Sequence, residues 1–244
     1  MSLVQKLNEI EYPESDGKPM GETDIHIDWM IRIRDILRVR YRGQKVYTAS
    51  NNLVYYQEGQ PKKFIVPDNY VVLDCEPGRR RTFKIWEEGR SPDVVFEVTS
   101  RATRREDEKK KPEIYAKIGV REYFLYDPTA EYLKPPLKGF RFAKGQYGPI
   151  ASSPDGSLES QCMGITLRLE EGKLVMRDAD TGHVLPTEAE AERRALETEQ
   201  QAREAEQQAR EAEERAREVA ESRAAELEAE VERLREELRK AKDD

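Results

Sequence analysis

The sequence predicts an α/β domain ending near residue 185, followed by one long helix. Three observations carry this. PDVVFEVTS (92–100) is the most apolar run in the chain and suits a buried central strand. Helical patterns stand on both sides of it, at 23–39 and 103–118. From Thr187 onward there is no Gly, Pro or aromatic residue, and Ala, Glu, Arg, Gln and Leu dominate, the composition of a long helix.

The 244 residues carry a formal net charge of -7, but the charge is uneven. Residues 186–244 hold 12 basic and 20 acidic side chains, whereas 1–185 hold 30 basic and 29 acidic. The acidity belongs to the tail. A generalised basic coat for nucleic acid is excluded, while a local basic site is not. No stretch of about 18 apolar residues is present, so no membrane span is expected. The N-terminus lacks an apolar signal region, so nothing indicates export. Cys75 and Cys162 make neither a disulfide framework nor a zinc site and read as free thiols in a reducing cytoplasm.

Residues 1–21, with Pro13, Gly17, Pro19 and Gly21, read as an irregular lead-in. Ile25, Trp29, Ile33, Ile36 and Leu37 recur at helical spacing from about Thr23 to Val39, with Thr23 or Asp24 as the cap. Strands are expected at 45–50, 52–59, 64–74 (interrupted by Pro67), 82–89 and 92–100. A basic helix follows over Thr103–Ile118, with Thr103 and Glu106 at capping-box spacing and Gly119 as its stop. REYFLYDP (121–128) is the next strand. Residues 129–185 read as a small antiparallel appendage of a single domain over 22–185. In 186–244, apolar residues alternate at spacings of three and four through Ala202–Val219. After a slip they continue through Leu227, Val231, Leu234 and Leu238. That is a heptad seam for self-association into a dimer or higher oligomer. A solvated single helix held by Glu–Arg pairs is the alternative.

No Walker loop, dinucleotide glycine pattern or nucleophile elbow is present. Side-chain alternation puts Asp93, Val95, Glu97 and Thr99 on one face of 92–100. Glu97 therefore lies inside an apolar strand, at a cost of several kcal/mol unless partners compensate it. Asp93 lies about 13 Å along the strand, too far to share a metal, so the natural partner is Asp68 in FIVPDNYVV. Two carboxylates with water suit Mg²⁺ or Mn²⁺. Arg101, Arg104, Arg105, Lys109, Lys110 and Lys111 follow directly, and Arg79, Arg80 and Arg81 form a second basic cluster. Metal-holding carboxylates ringed by cations are what phosphodiester hydrolysis needs. His26, one turn after Glu22, is a candidate supporting group, as is Glu22. Equally, Asp68 could serve a turn, Glu97 an ion pair, and 104–111 a solvated charged helix.

At these residues the chain resembles a known family. PDVVFEVTSRATRREDEKKKPEIYAKIGVREYFLYDP, with NNLVYYQEG and VPDNYVV upstream, resembles the Uma-type restriction endonucleases of the PD-(D/E)XK nuclease superfamily. The resemblance spans roughly 20–180. It implies a restriction-endonuclease-like mixed sheet flanked by helices, and Mg²⁺- or Mn²⁺-dependent cleavage of DNA. It assigns Asp68 and Glu97 as metal ligands and catalytic acids. Thr99 stands where a typical superfamily member has lysine. The lysine is then expected four residues before Tyr115, at Lys111, with Lys110 as rival in the Lys-Lys-Lys run. Asp93 is a supporting group, and the Arg/Lys positions contact phosphates. Two other readings stay open: a non-catalytic nucleic-acid-binding or assembly module with the same fold, and a coiled-coil adaptor with an incidental head.

Overall fold

The computed structural model describes residues 10–17 and 23–243, with side chains to 235. The chain forms two compact units, 1–188 and 189–244.

In the first unit, helix α1 (Asp24–Arg40) starts at Thr23, whose hydroxyl accepts the His26 N–H at 3.3 Å. Its buried face is His26, Ile33, Ile36 and Leu37, whereas Ile25, expected to face inward, is 49% exposed. In the first turn His26 takes the inward position, while Ile33, Ile36 and Leu37 lie on the buried face as expected. Then come β1 (Val46–Ala49), β2 (Val54–Tyr55), β3 (Phe64–Ile65), β4 (Asn69–Leu73) and β5 (Phe83–Lys84). The strand expected over 52–59 shrinks to two residues. The strand expected over 82–89 gives way after β5 to a helical turn, α2 (Ile85–Glu88), closed by Gly89 at φ 67°. Residues 10–17 form no helix or strand. They are anchored by the Tyr55 hydroxyl on the Pro13 carbonyl (2.5 Å) and by the Tyr12 ring against Tyr55 and Trp86.

β6 (Val94–Val98) is buried along its whole length. The following segment is not one plain helix. Thr103 bonds back to Ser100 rather than closing a capping box with Glu106. A π-helical turn (Glu106–Lys110) then leads into α3 (Lys111–Ile118). The sequence explains the widened turn. Pro112 has no N–H to give, and the Lys111 N–H reaches five residues back to the Glu106 carbonyl.

After α3 come β7 (Glu122–Tyr126), β8 (Leu137–Ala143), β9 (Gln146–Pro149), β10 (Leu158–Ser160), β11 (Ile165–Glu170) and β12 (Lys173–Asp178). The central sheet has the order β1-β4-β6-β7-β8-β9. It is mixed: β6 and β7 run parallel around the α3 crossover, and the other neighbours are antiparallel. Residues 129–185 are thus only partly an appendage, because β8 and β9 extend the central sheet. Only β10–β12 form a separate antiparallel sheet. β3-β2-β5 make a third small sheet.

One face of the central sheet (Val94, Phe96, Val98, Phe124, Tyr126) packs on α1 and on Ile165, Leu167 and Met176 of the β10–β12 sheet. The other (Tyr70, Val72, Val95, Tyr123, Leu125) packs on Tyr115 of α3 and on Val54 and Phe83. Both faces being covered explains why β6 reads as an unbroken apolar run.

The second unit is helix α4 (Glu188–Asp243), with Arg–Glu pairs at i,i+4 such as Arg203–Glu199 and Arg210–Glu206, both 2.7 Å. No described helix is long and apolar enough to cross a membrane. Both cysteines are free.

Candidate active site

Strand register builds the centre. β4 and β6 are antiparallel with Asn69 opposite Phe96, so the next pair outward is Asp68 opposite Glu97. Opposed residues point to the same side at Cβ separations of about 5 Å. Backbone bonds lock them: the Asp68 N–H donates to Glu97 Oε2 (3.3 Å), and the Val98 N–H donates to Asp68 Oδ2 (2.7 Å).

Lys111 enters from α3. Its Nζ lies 2.7 Å from Glu97 Oε2 and 2.9 Å from Asp107 Oδ1. The Tyr115 hydroxyl donates to Glu97 Oε1. His26 Nε2 comes from α1 to 3.3 Å from Asp68 Oδ1. The Glu97 side chain is fully buried, whereas that of Asp68 is 15% exposed, so the centre opens to solvent on the Asp68 side.

The electrostatics divide the acids. Burial pushes the Glu97 carboxyl well up; Lys111 pulls it down, and the like charges of Asp68 and Asp107 add to the rise. Burial pushes Asp68 up too, but the His26 hydrogen bond and the Lys111 charge outweigh it and hold it below its ordinary value. Asp107 is raised, chiefly by burial. For Lys111 burial acts downward, yet Glu97, Asp107 and Asp68 overcome it and keep the ammonium firmly protonated. The buried Glu97 and Asp107 and the part-exposed Asp68 thus face one lysine and one histidine, an acid-rich centre.

Free lone pairs show whether a divalent cation fits. A carboxylate oxygen accepts two hydrogen bonds. Glu97 Oε2 is filled by Lys111 and the Asp68 N–H, while Glu97 Oε1 and both Asp68 oxygens each keep one position after Tyr115, His26 and Val98. Hard oxygen donors in an acid-rich site suit Mg²⁺ or Mn²⁺, completed by water and substrate oxygens. Among the described residues no group of three or more His, Cys, Asp or Glu is arranged to hold a metal.

The structure gathers Asp68, Glu97, Lys111 and His26, and leaves other candidates elsewhere. Lys110 is exposed, as are Arg101, Arg104, Arg105 and Lys109 on the same segment. Asp93, at the opposite end of β6, accepts from the Leu73 N–H (2.6 Å) and pairs with Arg121 (2.8 Å). The 79–81 cluster is split. Arg80 pairs with Glu88 and stacks 4.1 Å over Tyr47, Arg81 pairs with Glu14, and Arg79 is exposed. Thr99 is buried and its hydroxyl lacks a hydrogen-bond partner. Glu22 lies outside the described residues. Two members were not singled out from the sequence: Asp107, lost in a run that resembles a solvated charged face, and Tyr115, used there only to count register. Their signal is spacing, since Asp107, Lys111 and Tyr115 stand at i, i+4 and i+8.

A mixed sheet carrying an acid on each of two adjacent strand ends, with a lysine from the crossover helix, is a restriction-endonuclease-like arrangement. The family model described as "Putative restriction endonuclease" (Uma2) matches residues 10–177, and the chain belongs to that family. Among solved structures, one described as a putative nuclease belonging to DUF820 from Anabaena variabilis is similar at 15% identity and a TM-score of 0.43. That match covers 60% of this chain and 76% of the other. No curated protein matches.

Proposed function

We propose that the chain is a divalent-metal-dependent endonuclease that hydrolyses DNA phosphodiester bonds. The observation that carries this reading is the convergence of Asp68, Glu97 and Lys111 at the ends of β4, β6 and the π-helical turn. Asp68 and Glu97 would hold Mg²⁺ or Mn²⁺, which supplies a Lewis acid and lowers the pKa of water. The chain's own groups do the rest. Lys111, held by its ion pairs to Glu97 and Asp107, orients the attacking water and offsets charge on the phosphate. Asp107 fixes the Lys111 ammonium, Tyr115 fixes Glu97, and His26 fixes Asp68. The exposed Arg101, Arg104, Arg105, Lys109 and Lys110 would meet the phosphate backbone.

On α4, Leu227 (52% exposed), Val231 (46%) and Leu234 (47%) leave an apolar stripe on one side of the helix. We read this stripe as the seam that joins two or more chains, bringing two centres onto one duplex.

Supercoiled and linear DNA incubated with Mg²⁺, Mn²⁺ or EDTA tests the proposal, beside Glu97→Gln and Asp68→Asn. Metal-dependent nicking or linearisation lost in both variants is expected. Full activity in either variant overturns the site. The unpartnered Thr99 in place of a lysine favours a second reading, a nuclease-like module that binds DNA without cutting it. Metal-independent binding without cleavage supports that alternative.

A further inference from the structure

A cavity of about 250 Å³ lies beside the candidate site, lined by Glu108, Pro112, Tyr123, Leu125, Phe140 and Tyr147. Its walls are the immediate neighbours of the catalytic groups. Glu108 and Pro112 adjoin Asp107 and Lys111 in the chain, and Leu125 is the β7 register partner of Glu97. The Tyr123 hydroxyl donates to the Asp107 carbonyl.

The lining has an uncommon chemistry. Three of its lining residues are aromatic and touch one another: Tyr123 stacks on Phe140 at 5.9 Å and meets Tyr147 at 6.1 Å. The lining also holds one carboxylate, Glu108, fixed by Lys138 (3.1 Å) and Arg104 (3.2 Å). Each Glu108 oxygen takes one of these cations and keeps a position for another donor. The volume falls below the roughly 300 Å³ at which drug-sized ligand pockets begin. It suits one flat heteroaromatic ring with a donor on its edge.

We propose that this cavity receives a nucleobase turned out of the substrate strand beside the cleaved bond. The inference rests on the nuclease reading above. The rings supply a stacking surface open to any base, since every base has a π-face. Glu108, an acceptor only, favours a base presenting an amino group, as carboxylates do toward cytosine N4. Extrusion costs unstacking, so the site prefers a nucleotide already unpaired or mismatched.

The test uses the full chain, Mg²⁺, and duplex oligonucleotides carrying 2-aminopurine at successive positions around the cleaved bond. Fluorescence should change at one position only. Phe140→Trp fills the cavity and should lower cleavage about 10-fold or more, the scale of losing one base–aromatic stack. An abasic nucleotide at that position should restore cleavage by Phe140→Trp, which a merely structural role of Phe140 would not allow. If Phe140→Trp fails to fold, Glu108→Gln decides: wild type should prefer an amino-bearing base over thymine there, and the variant should lose that preference. Cleavage with no fluorescence response and no base preference overturns the cavity proposal alone. No cleavage of any substrate overturns the nuclease reading and this proposal with it.

Discussion

Lys111 Nζ lies 2.7 Å from Glu97 Oε2 and 2.9 Å from Asp107 Oδ1, so one ammonium serves two buried carboxylates. Its neighbour Lys110 is exposed. The two lysines should therefore behave differently. Lys111→Met leaves buried acids without their cation and should cost about 3–5 kcal/mol. Lys110→Met should stay within about 0.5 kcal/mol of wild type. Urea denaturation at neutral pH measures both, and equal losses would show that the ion pair is not formed in solution.

Metal should also be visible in stability. A ligand that binds only the folded state adds about 2.7 kcal/mol at 100 times its Kd. For a domain of this size that raises Tm by about 5 °C or more. Mg²⁺ should do so in wild type, with EDTA reversing it, and Asp68→Asn should abolish the effect. A shift that survives in Asp68→Asn places the cation elsewhere.

Asp127 supplies a pH-dependent term remote from catalysis. Just beyond β7, its 1%-exposed side chain accepts from the N–H groups of Thr129 (3.0 Å), Tyr132 (2.5 Å) and Leu133 (2.8 Å), and from the Thr129 hydroxyl (2.9 Å). Burial raises its pKa, but the donors from Leu133, Tyr132 and Thr129 outweigh burial and hold it low. A depressed folded-state value means that the stabilisation is complete above the unfolded value of about 3.9 and is lost as pH falls through the folded one. Asp127→Ala should cost about 3 kcal/mol at pH 7. The deficit should shrink once the solution is acid enough to protonate the wild-type carboxyl. A deficit independent of pH would mean that the carboxylate charge contributes nothing.

The stripe on α4 predicts concentration-dependent association. Leu227→Lys combined with Leu234→Lys puts charges into the seam and should convert the assembly to monomer by sedimentation equilibrium. A wild-type chain that is monomeric at all concentrations would leave α4 as a single helix carried by its Arg–Glu pairs.

Much of the centre was legible because its signals are local. Alternation along 92–100 puts Glu97 on the same face as Val95, and Val95 is buried against the α3 layer as that pattern requires. An acid inside an apolar strand demands partners, and Asp68 is the acid at the head of the adjoining strand. The π-helical turn was harder to read. Pro112 signals a disturbance, but whether it kinks, restarts or widens the helix depends on what α3 packs against. Glu122 was missed altogether. Fully buried in β7, it takes Arg141 (2.9 Å), Ser160 (2.5 Å) and the Gln161 N–H (3.0 Å), tying β10 to the central sheet. The Arg141 and Ser160 partners lie 19 and 38 residues away, so no local pattern marks it.

By itself the sequence determined the α/β character, the buried strand with its inward acid, the two-part organisation and the long C-terminal helix. Each follows from composition or from periodicity within a single element. The tertiary structure decided which side chains meet. It selected Lys111 over Lys110, turned His26 rather than Ile25 inward, sent Asp93 to Arg121, dispersed Arg79–Arg81 and added β8 and β9 to the central sheet. Register between strands and the path of a crossover are set by packing across the whole domain. A shift of one residue exchanges the inward and outward faces, and no short stretch of sequence fixes that choice.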